Sequence, residues 1–270
     1  DKMKKEYISD VWQLKQKGHE NFEFVDVAVN DDNLLFIDPC LIERWNNAWA
    51  IKAMKHINSY FDKLFKAYNT CNRKDMKCLL SHAGEQNATR LGYGNGDNGK
   101  GNTVDGLLEI FQPLEQLISS IRTIGKAEDL PLLIPGFAED GMSDLLTNIL
   151  HECLNEFTME QMHKYGILSN GTKTFYTWDM HAGEWKKVEK PVYFVNGKEL
   201  LLVRMDARLI IQVIINIVDN AIKYTQEGSD IYIKARKEGR YVIISIEDNG
   251  AGIPDTLFLK LVGRTKYLMT

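Results

Sequence analysis

The sequence has few cysteines, no long apolar run and no strong excess of charge of either sign. Its apolar runs stay well below the length of a membrane span, and the longest begins at Leu209 and is interrupted by Gln212 and Asn216. No signal peptide is visible at the start of the chain, and we therefore expect a cytoplasmic protein. The four cysteines have no CxxC spacing and are typical of reduced, partly buried thiols: Cys40, Cys71, Cys78 and Cys153.

The composition is that of a globular protein. The chain has 270 residues, of which 44% are hydrophobic and 26% charged, enough for one large or two modest domains. The formal net charge of −4 argues against broad electrostatic binding to DNA or to an anionic membrane, although a local basic patch stays open.

The most informative stretch runs from Leu209 to Gly252. Its first part, LIIQVIINIVDNAIKYT, predicts a helix that Asp206 can cap. Asn216 and Asn220 are four residues apart, so their amides project from neighbouring turns of one face. Buried amides need polar partners, and a magnesium-bound phosphate chain would be one. The apolar residues recur at helical spacing and form one apolar stripe: Leu209, Ile210, Val213, Ile214, Ile217, Val218, Ala221 and Ile222.

Two strands follow this helix. Residues 230–237 alternate apolar and polar side chains, and residues 241–247 are predicted to form a second strand after a turn at Glu238-Gly239. The second strand ends at Asp248, whose carboxylate can accept a hydrogen bond from an exocyclic amine. The sequence DNGAG continues with glycines that allow the backbone to approach a ligand closely.

These elements resemble a known family. NxxxNAxKYT on a helix, a β-hairpin and DxGxGIP resemble the N box and first glycine box of the histidine-kinase ATP-binding domain, in the superfamily shared with gyrase, Hsp90 and MutL. The segment RMDARLIIQVIINIVDNAIKYTQEGS is similar in sequence to the potassium-responsive, Kdp-type sensor kinases. The resemblance covers about residues 203–260. The alternative interpretation is an ordinary amphipathic helix followed by a hairpin.

The resemblance implies a site for ATP and Mg²⁺. By this resemblance, Asn220 ligates magnesium with Asn216 beside it, and Lys223 meets the phosphates. It assigns no catalytic residue within the chain. The partners it implies are a nucleotide and a response regulator or sensor protein.

The same resemblance assigns the adenine end of the site. Tyr224 lines the adenine pocket, and Asp248 accepts from the adenine amine. Gly250 and Gly252 open the loop that covers ATP.

The chain also departs from the family pattern. It continues as DTLFLKLVGRTKYLMT, in which Leu257-Phe258 fits the start of an F box. No second glycine box of the GxGLGL kind follows, and no phosphoacceptor histidine box precedes. We therefore predict weak nucleotide binding and no autophosphorylation by this chain alone.

The preceding residues predict an α+β domain of a different kind. The predicted domains are residues 1–203, a mixed α/β domain, and residues 204–270, a partial histidine-kinase-type α/β sandwich. The first domain is not the helical hairpin that normally precedes a kinase ATP-binding domain. The junction lacks linker composition, which indicates either a natural fusion or a rearranged reading frame. The patterns predict helices at 41–68 and 142–157, and strands at 22–29, 34–37, 175–178, 192–195 and 200–203.

The glycine-rich segment Gly84–Gly106 contains a near match to a phosphate loop. Gly94 to Lys100 fits GxxxxGK, but Gly101 stands where Ser or Thr would bind magnesium. A flexible or partly ordered surface loop is the favoured interpretation. A third interpretation, between the phosphate loop and the surface loop, is a loop that binds a partner.

Three carboxylates and one histidine complete the candidates of the first domain. His151-Glu152 matches neither HExxH nor a phosphoacceptor box, since the text is HECLNEF, and we predict a solvated helix face. Glu139, Asp140 and Asp144 cluster where a helix begins, which suits the helix dipole. The alternative function is therefore that this domain acts as an interaction module or as a carboxylate-based enzyme, with the kinase-like piece as an appendage.

Overall fold

The structure is a computed structural model. It describes residues 4–18, 21–31, 33, 35–91, 104–108, 139–205, 214–215, 217–219, 221–223, 225, 228–238 and 241–249. The chain divides into two compact units, Asp1–Arg204 and Met205–Thr270. Helices and antiparallel strands occur together, which confirms the predicted α+β class.

Helix α3 (Ala48–Asn69) is the longest element that the structure describes in the first unit. Its apolar residues recur every three or four positions, and Ile57, Tyr60 and Leu64 are fully buried on one face. Asn47 caps this helix by accepting a 2.9 Å hydrogen bond from the Ala50 amide, so the long helix predicted at 41–68 is divided in two. The helices are α1 (Ile8–Val11), α2 (Pro39–Arg44), α3 (Ala48–Asn69), α4 (Arg73–Leu80), α5 (Glu139–Ile149) and α6 (His151–Tyr165).

A three-stranded antiparallel sheet packs against these helices. Its strands are β1 (Gly171–Asp179), β2 (Glu184–Val195) and β3 (Lys198–Leu200), in the order β1-β2-β3. Asn196 and Gly197 connect β2 to β3 with φ angles of 52° and 73°. Positive φ at both positions is what a tight two-residue hairpin requires, so the turn predicted from Asn-Gly is confirmed.

Trp178 joins the sheet to α3. Its ring is completely buried and packs edge-on against Tyr60 and Trp185, with ring centroids 5.0 and 5.6 Å away. The Trp178 Nε1 donates a 3.2 Å hydrogen bond to Ser59 Oγ on α3, which satisfies the buried indole.

The strand predicted at 22–29 does not form a ladder. Within it, Phe24 makes an isolated bridge to Arg204 and Ala28 makes another to Tyr7. The Asn33 side chain accepts from the Ala28 amide and donates to the Ala28 carbonyl, both at 2.9 Å. A side-chain amide thereby takes the hydrogen bonds that a neighbouring strand would have used.

The Arg90 side chain stabilises the β2–β3 turn through hydrogen bonds to its carbonyls. The residue has a backbone φ of 59°, and Nη1 donates to the carbonyls of Asn87 and Glu199 at 2.6 and 2.9 Å. Nη2 donates to the carbonyls of Val195 and Lys198, each at 3.3 Å. One guanidinium thus binds both sides of the hairpin turn.

The second unit contains the predicted hairpin. Strands β4 (Ile231–Glu238) and β5 (Tyr241–Asp248) pair in antiparallel register, with Ile231 opposite Asp248 and Ile233 opposite Ile246. Residues 214–215, 217–219 and 221–223 are helical, in agreement with the predicted helix. Nowhere in the described ranges does a helix combine the length and the apolar character needed to cross a membrane.

Candidate functional site

Asp248 is the last residue of β5. It pairs with Ile231 at the open end of the hairpin, and its side chain is exposed. β5 therefore places a carboxylate at the end of the strand, where the sequence predicted it. An ionised carboxylate in that position can accept hydrogen bonds from a ligand amine.

Lys223 is the other predicted ligand residue that the structure describes. It lies in the helical segment 221–223 with an exposed side chain. A flexible exposed ammonium can reach a phosphate oxygen as a point charge. The remaining predicted site residues lie outside the described residues: Asn216, Asn220, Tyr224, Gly250 and Gly252.

The apolar stripe predicted for this helix is only partly buried. Ala221 is 6% exposed, whereas Ile222 is 59% and Ile215 is 45% exposed. Successive helical residues rotate by about 100°, so Ile215 and Ile222 lie on a shared face away from Ala221. Within the predicted apolar stripe, Ile217 and Ile222 are therefore exposed, whereas Ala221 is buried.

In the first unit, the prominent polar arrangement is a cluster of the buried His151 and Glu199 with the half-buried Lys173. The Nε2 of His151 lies 3.0 and 3.1 Å from the two carboxylate oxygens of Glu199. Lys173 Nζ donates to Glu199 Oε2 at 2.6 Å. His151 also stacks on Phe175 with ring centroids 3.8 Å apart. The cluster joins α6, β1 and β3.

The electrostatics keep Glu199 charged. Burial by itself would raise the pKa of the Glu199 carboxyl, but His151 and then Lys173 outweigh burial and hold that pKa below its ordinary value. His151 is 1% and Glu199 4% exposed, so neither side chain can meet a substrate. The cluster is a structural cross-link, and an enclosed His151 does not have the accessibility of a phosphoacceptor.

The prediction of a solvated face at His151-Glu152 was therefore wrong. Glu152 forms ion pairs with Lys186 and Lys190 on β2, at 2.8 and 2.9 Å. A helix that begins against a sheet buries its first turn, and both residues find opposite charges there. Because Glu199 is 48 positions from His151, local sequence reasoning could not pair them.

Cys153 and His56 form a pair that resembles a nucleophile and its base. Cys153 Sγ lies 3.9 Å from His56 Nδ1. However, His56 Nδ1 lies 2.9 Å from the Lys52 carbonyl, to which it must donate, so this nitrogen carries a proton and cannot accept one. Burial raises the pKa of Cys153 to about 12 and lowers that of His56. The pair lacks the activated thiolate that nucleophilic catalysis needs.

The carboxylate site predicted at the start of α5 stays a prediction. Asp144 is half-buried on α5, while the side chains of Glu139 and Asp140 lie outside the described part. Among the residues that the structure describes, no group of three or more His, Cys, Asp or Glu side chains could hold a metal ion.

Two family models together cover nearly the whole chain. The model described as "Domain of unknown function (DUF8370)" matches residues 13–206. The chain belongs to the DUF8370 family. The match includes Arg90 and the His151–Glu199–Lys173 cluster, so both lie within the DUF8370 domain. A second model, described as the histidine kinase-, DNA gyrase B- and HSP90-like ATPase, matches residues 205–267.

Sensor kinases are similar to part of the chain. The alginate biosynthesis sensor protein KinB of Pseudomonas aeruginosa is 43% identical over 58 residues, covering 22% of this chain and 10% of KinB. The sensor protein KdpD of Clostridium acetobutylicum is 38% identical over 79 residues, covering 27% of this chain and 9% of KdpD. The adaptive-response sensory kinase SasA of Microcystis aeruginosa is 34% identical over 126 residues, covering 42% of this chain and 30% of SasA.

These relatives confirm the resemblance at the level of the ATPase domain. The chain spans less than a third of the length of each relative. The Kdp type is one of several sensor kinases among them, so the narrower resemblance stays a prediction. The SasA match covers more residues than the segment 205–270 holds, and it therefore reaches into the DUF8370 domain. No solved structure matches the chain.

Proposed function

We propose that residues 205–267 are the ATP-binding module of a sensor histidine kinase, attached to the DUF8370 domain. The observation that carries the proposal is the position of Asp248. It stands exposed at the end of β5, two residues before Gly250, within the segment that matches the ATPase family. An acceptor at this place suits the exocyclic amine of adenine.

The remaining residues receive roles in the same site. Asn220 ligates Mg²⁺ with Asn216 beside it, and Lys223 meets the phosphates. Tyr224 lines the adenine pocket. Magnesium prefers oxygen ligands and is held through few protein groups together with substrate phosphates, which fits one or two asparagine amides.

We expect binding without phosphoryl transfer in these 270 residues by themselves. Phosphoryl transfer depends on positioning the acceptor and on stabilising charge at the phosphates. The 270 residues contain no second glycine box and no phosphoacceptor box, and His151 is enclosed in the DUF8370 core. A response regulator or a sensor protein would be the protein partner of the sensor kinase that contains this module.

Titration of the chain with Mg–ATP by calorimetry tests the site. Asp248→Ala and Asn220→Ala should each weaken binding by about five- to a hundredfold, the cost of one hydrogen bond to a buried partner. Glu247→Ala is the matched control, because Glu247 is an exposed neighbour on the opposite face of the hairpin. Parent-like affinity in both site variants would exclude this site.

A further inference from the structure

Strand β1 forms one edge of the three-stranded sheet in the DUF8370 domain. The sheet order is β1-β2-β3, and among the residues that the structure describes no strand pairs with the other side of β1. β1 is nine residues long and contains no proline. A long strand with one unpaired side presents backbone N–H and C=O groups that can pair with a further strand.

The opposite edge of the same sheet is protected. β3 has three residues, and the Leu201 amide that follows it donates to the Ala88 carbonyl at 2.9 Å. The Arg90 guanidinium binds the adjoining turn. Short edge strands and covering segments prevent unwanted pairing of sheets. In the described part of the chain β1 has neither protection, so a further strand can pair at one edge of the sheet and not at the other.

The accessible part of β1 is centred on Thr174. Thr177 and Trp178 are buried, so the core covers the end of the strand. Before them, the alternate side chains of Thr172, Thr174 and Tyr176 are exposed on one face of the sheet. All three are uncharged and belong to residue types that favour strands.

An exposed leucine lies just before this strand. Leu168 is 83% exposed, the highest value among the exposed large hydrophobic residues that the structure describes. It lies in the irregular stretch between α6 and β1, three residues before Gly171. A strand that paired along β1 and continued past Gly171 would cover Leu168 and remove apolar area from water.

We propose that β1 pairs with β1 of a second copy of this chain, antiparallel about a two-fold axis at Thr174. This register places Thr174 opposite its own counterpart and Thr172 opposite Tyr176 of the second copy. Cross-strand pairs of two threonines, or of a β-branched and an aromatic residue, stabilise a sheet. A two-fold contact uses the same strand on both copies, so the assembly closes at two chains and joins their sheets into one.

The charges of β1 are compatible with a second copy as its partner. The exposed row is uncharged, and in this register Lys173 lies opposite Phe175 of the second copy. The Lys173 ammonium is bound to Glu199 of its own chain at 2.6 Å. The pairing therefore places no like charges directly opposite each other, which is the arrangement that would disfavour self-association.

Sedimentation velocity on the full chain over a range of concentrations tests the pairing. The parent should form a concentration-dependent dimer. Thr174→Lys should weaken the association about tenfold, because two ammonium groups would lie opposite each other. This variant should still fold, since position 174 lies opposite Glu189 on β2 of its own chain.

Asn69→Lys is the control for the added charge. Asn69 is exposed at the end of α3, and its variant should dimerise like the parent. A parent that stays monomeric at every concentration would overturn the proposal. So would a Thr174→Lys chain that dimerises like the parent, because the contact would then lie elsewhere.

Cysteine cross-linking tests the register. Thr174→Cys, in a chain whose Cys40, Cys71 and Cys78 are replaced by serine, should oxidise to a covalent dimer. Directly opposite residues of antiparallel strands have Cα atoms about 4.5–5.5 Å apart, within reach of a disulfide. Glu189→Cys on β2 is the control, because its counterpart would lie three strand spacings away, about 14 Å, and should not cross-link. Cross-linking through Glu189→Cys, or none through Thr174→Cys, would show that β1 is not the interface.

Discussion

His151 Nε2 lies 3.0 Å from Glu199 Oε1 in the interior of the DUF8370 domain, although the two residues are 48 positions apart in the chain. The contact ties the first turn of α6 to β3. Breaking a buried pair by removing one partner leaves an uncompensated charge, which is costly. The stability of the domain should therefore depend on the charge of Glu199.

Acidification should destabilise the domain through Glu199. Its folded-state pKa lies below the ordinary value of 4.5, so its contribution is fully present above pH 4.5 and is lost as pH falls through the folded-state pKa. Glu199→Gln should lower the free energy of unfolding by about 3 kcal/mol at neutral pH and flatten its acid dependence. Denaturant titrations between neutral and acidic pH measure both effects.

Glu189→Gln on β2 is the control for this prediction, because Glu189 is exposed. It should leave the free energy of unfolding within about 0.5 kcal/mol of the parent. Parallel pH profiles for Glu199→Gln and the parent would contradict the assigned role of the Glu199 charge.

Tyr60 and Trp185 should be energetically coupled, because both donate a hydrogen bond to the Leu79 carbonyl. That carbonyl accepts from Tyr60 Oη at 3.1 Å and from Trp185 Nε1 at 2.7 Å. Tyr60→Phe should cost about 1 kcal/mol of unfolding free energy, since Trp185 still satisfies the carbonyl. Tyr60→Phe with Trp185→Phe should cost about 1 kcal/mol more than the sum of the single changes. Additive losses in the double-mutant cycle would show that the carbonyl is not shared.

Cys153 should be inert to thiol reagents in the folded chain. It is buried and its pKa is raised to about 12, while Cys78 is exposed. Because the thiolate is the reactive form, alkylation at mildly basic pH should label Cys78 and leave Cys153 unmodified until the chain unfolds. Peptide mapping by mass spectrometry separates the sites. Equal labelling of both cysteines under native conditions would contradict the burial of Cys153.

Lys100→Ala should leave nucleotide affinity unchanged. Gly101 follows Lys100 where a phosphate loop has a hydroxyl residue, so the magnesium ligand of that motif is missing. Residues 92–103 lie outside the described part of the chain. A calorimetric titration that showed a large loss of affinity would move the nucleotide site into the DUF8370 domain.

Elements determined by local sequence were predicted well. The Asn196-Gly197 turn and the β4–β5 hairpin formed as predicted, because turn residues and alternation act over a few positions. Asp248 likewise stands at the end of its strand, as predicted. All predicted ligand roles on the N-box helix stay predictions, and its ligand residues other than Lys223 lie outside the described residues.

Elements decided by a single polar side chain were predicted poorly. The strand expected at 22–29 is not a ladder, and at Ala28 the Asn33 side chain takes the hydrogen bonds that a neighbouring strand would use. The helix expected across residue 47 is divided by an asparagine cap. His151 was assigned to solvent because its partner lies on another element. In each case one polar side chain decided the outcome, and hydrophobic periodicity carries no information about it.

The hydrogen bonds of the Arg90 guanidinium limit the length of the β2–β3 turn. The guanidinium donates hydrogen bonds to the carbonyls of Val195 and Lys198, which flank the two-residue turn between β2 and β3, both at 3.3 Å. An inserted residue would move one of these carbonyls out of reach, and lysine could not span both because it lacks the planar fork. Insertions at this turn should therefore be inherited only together with a change at position 90.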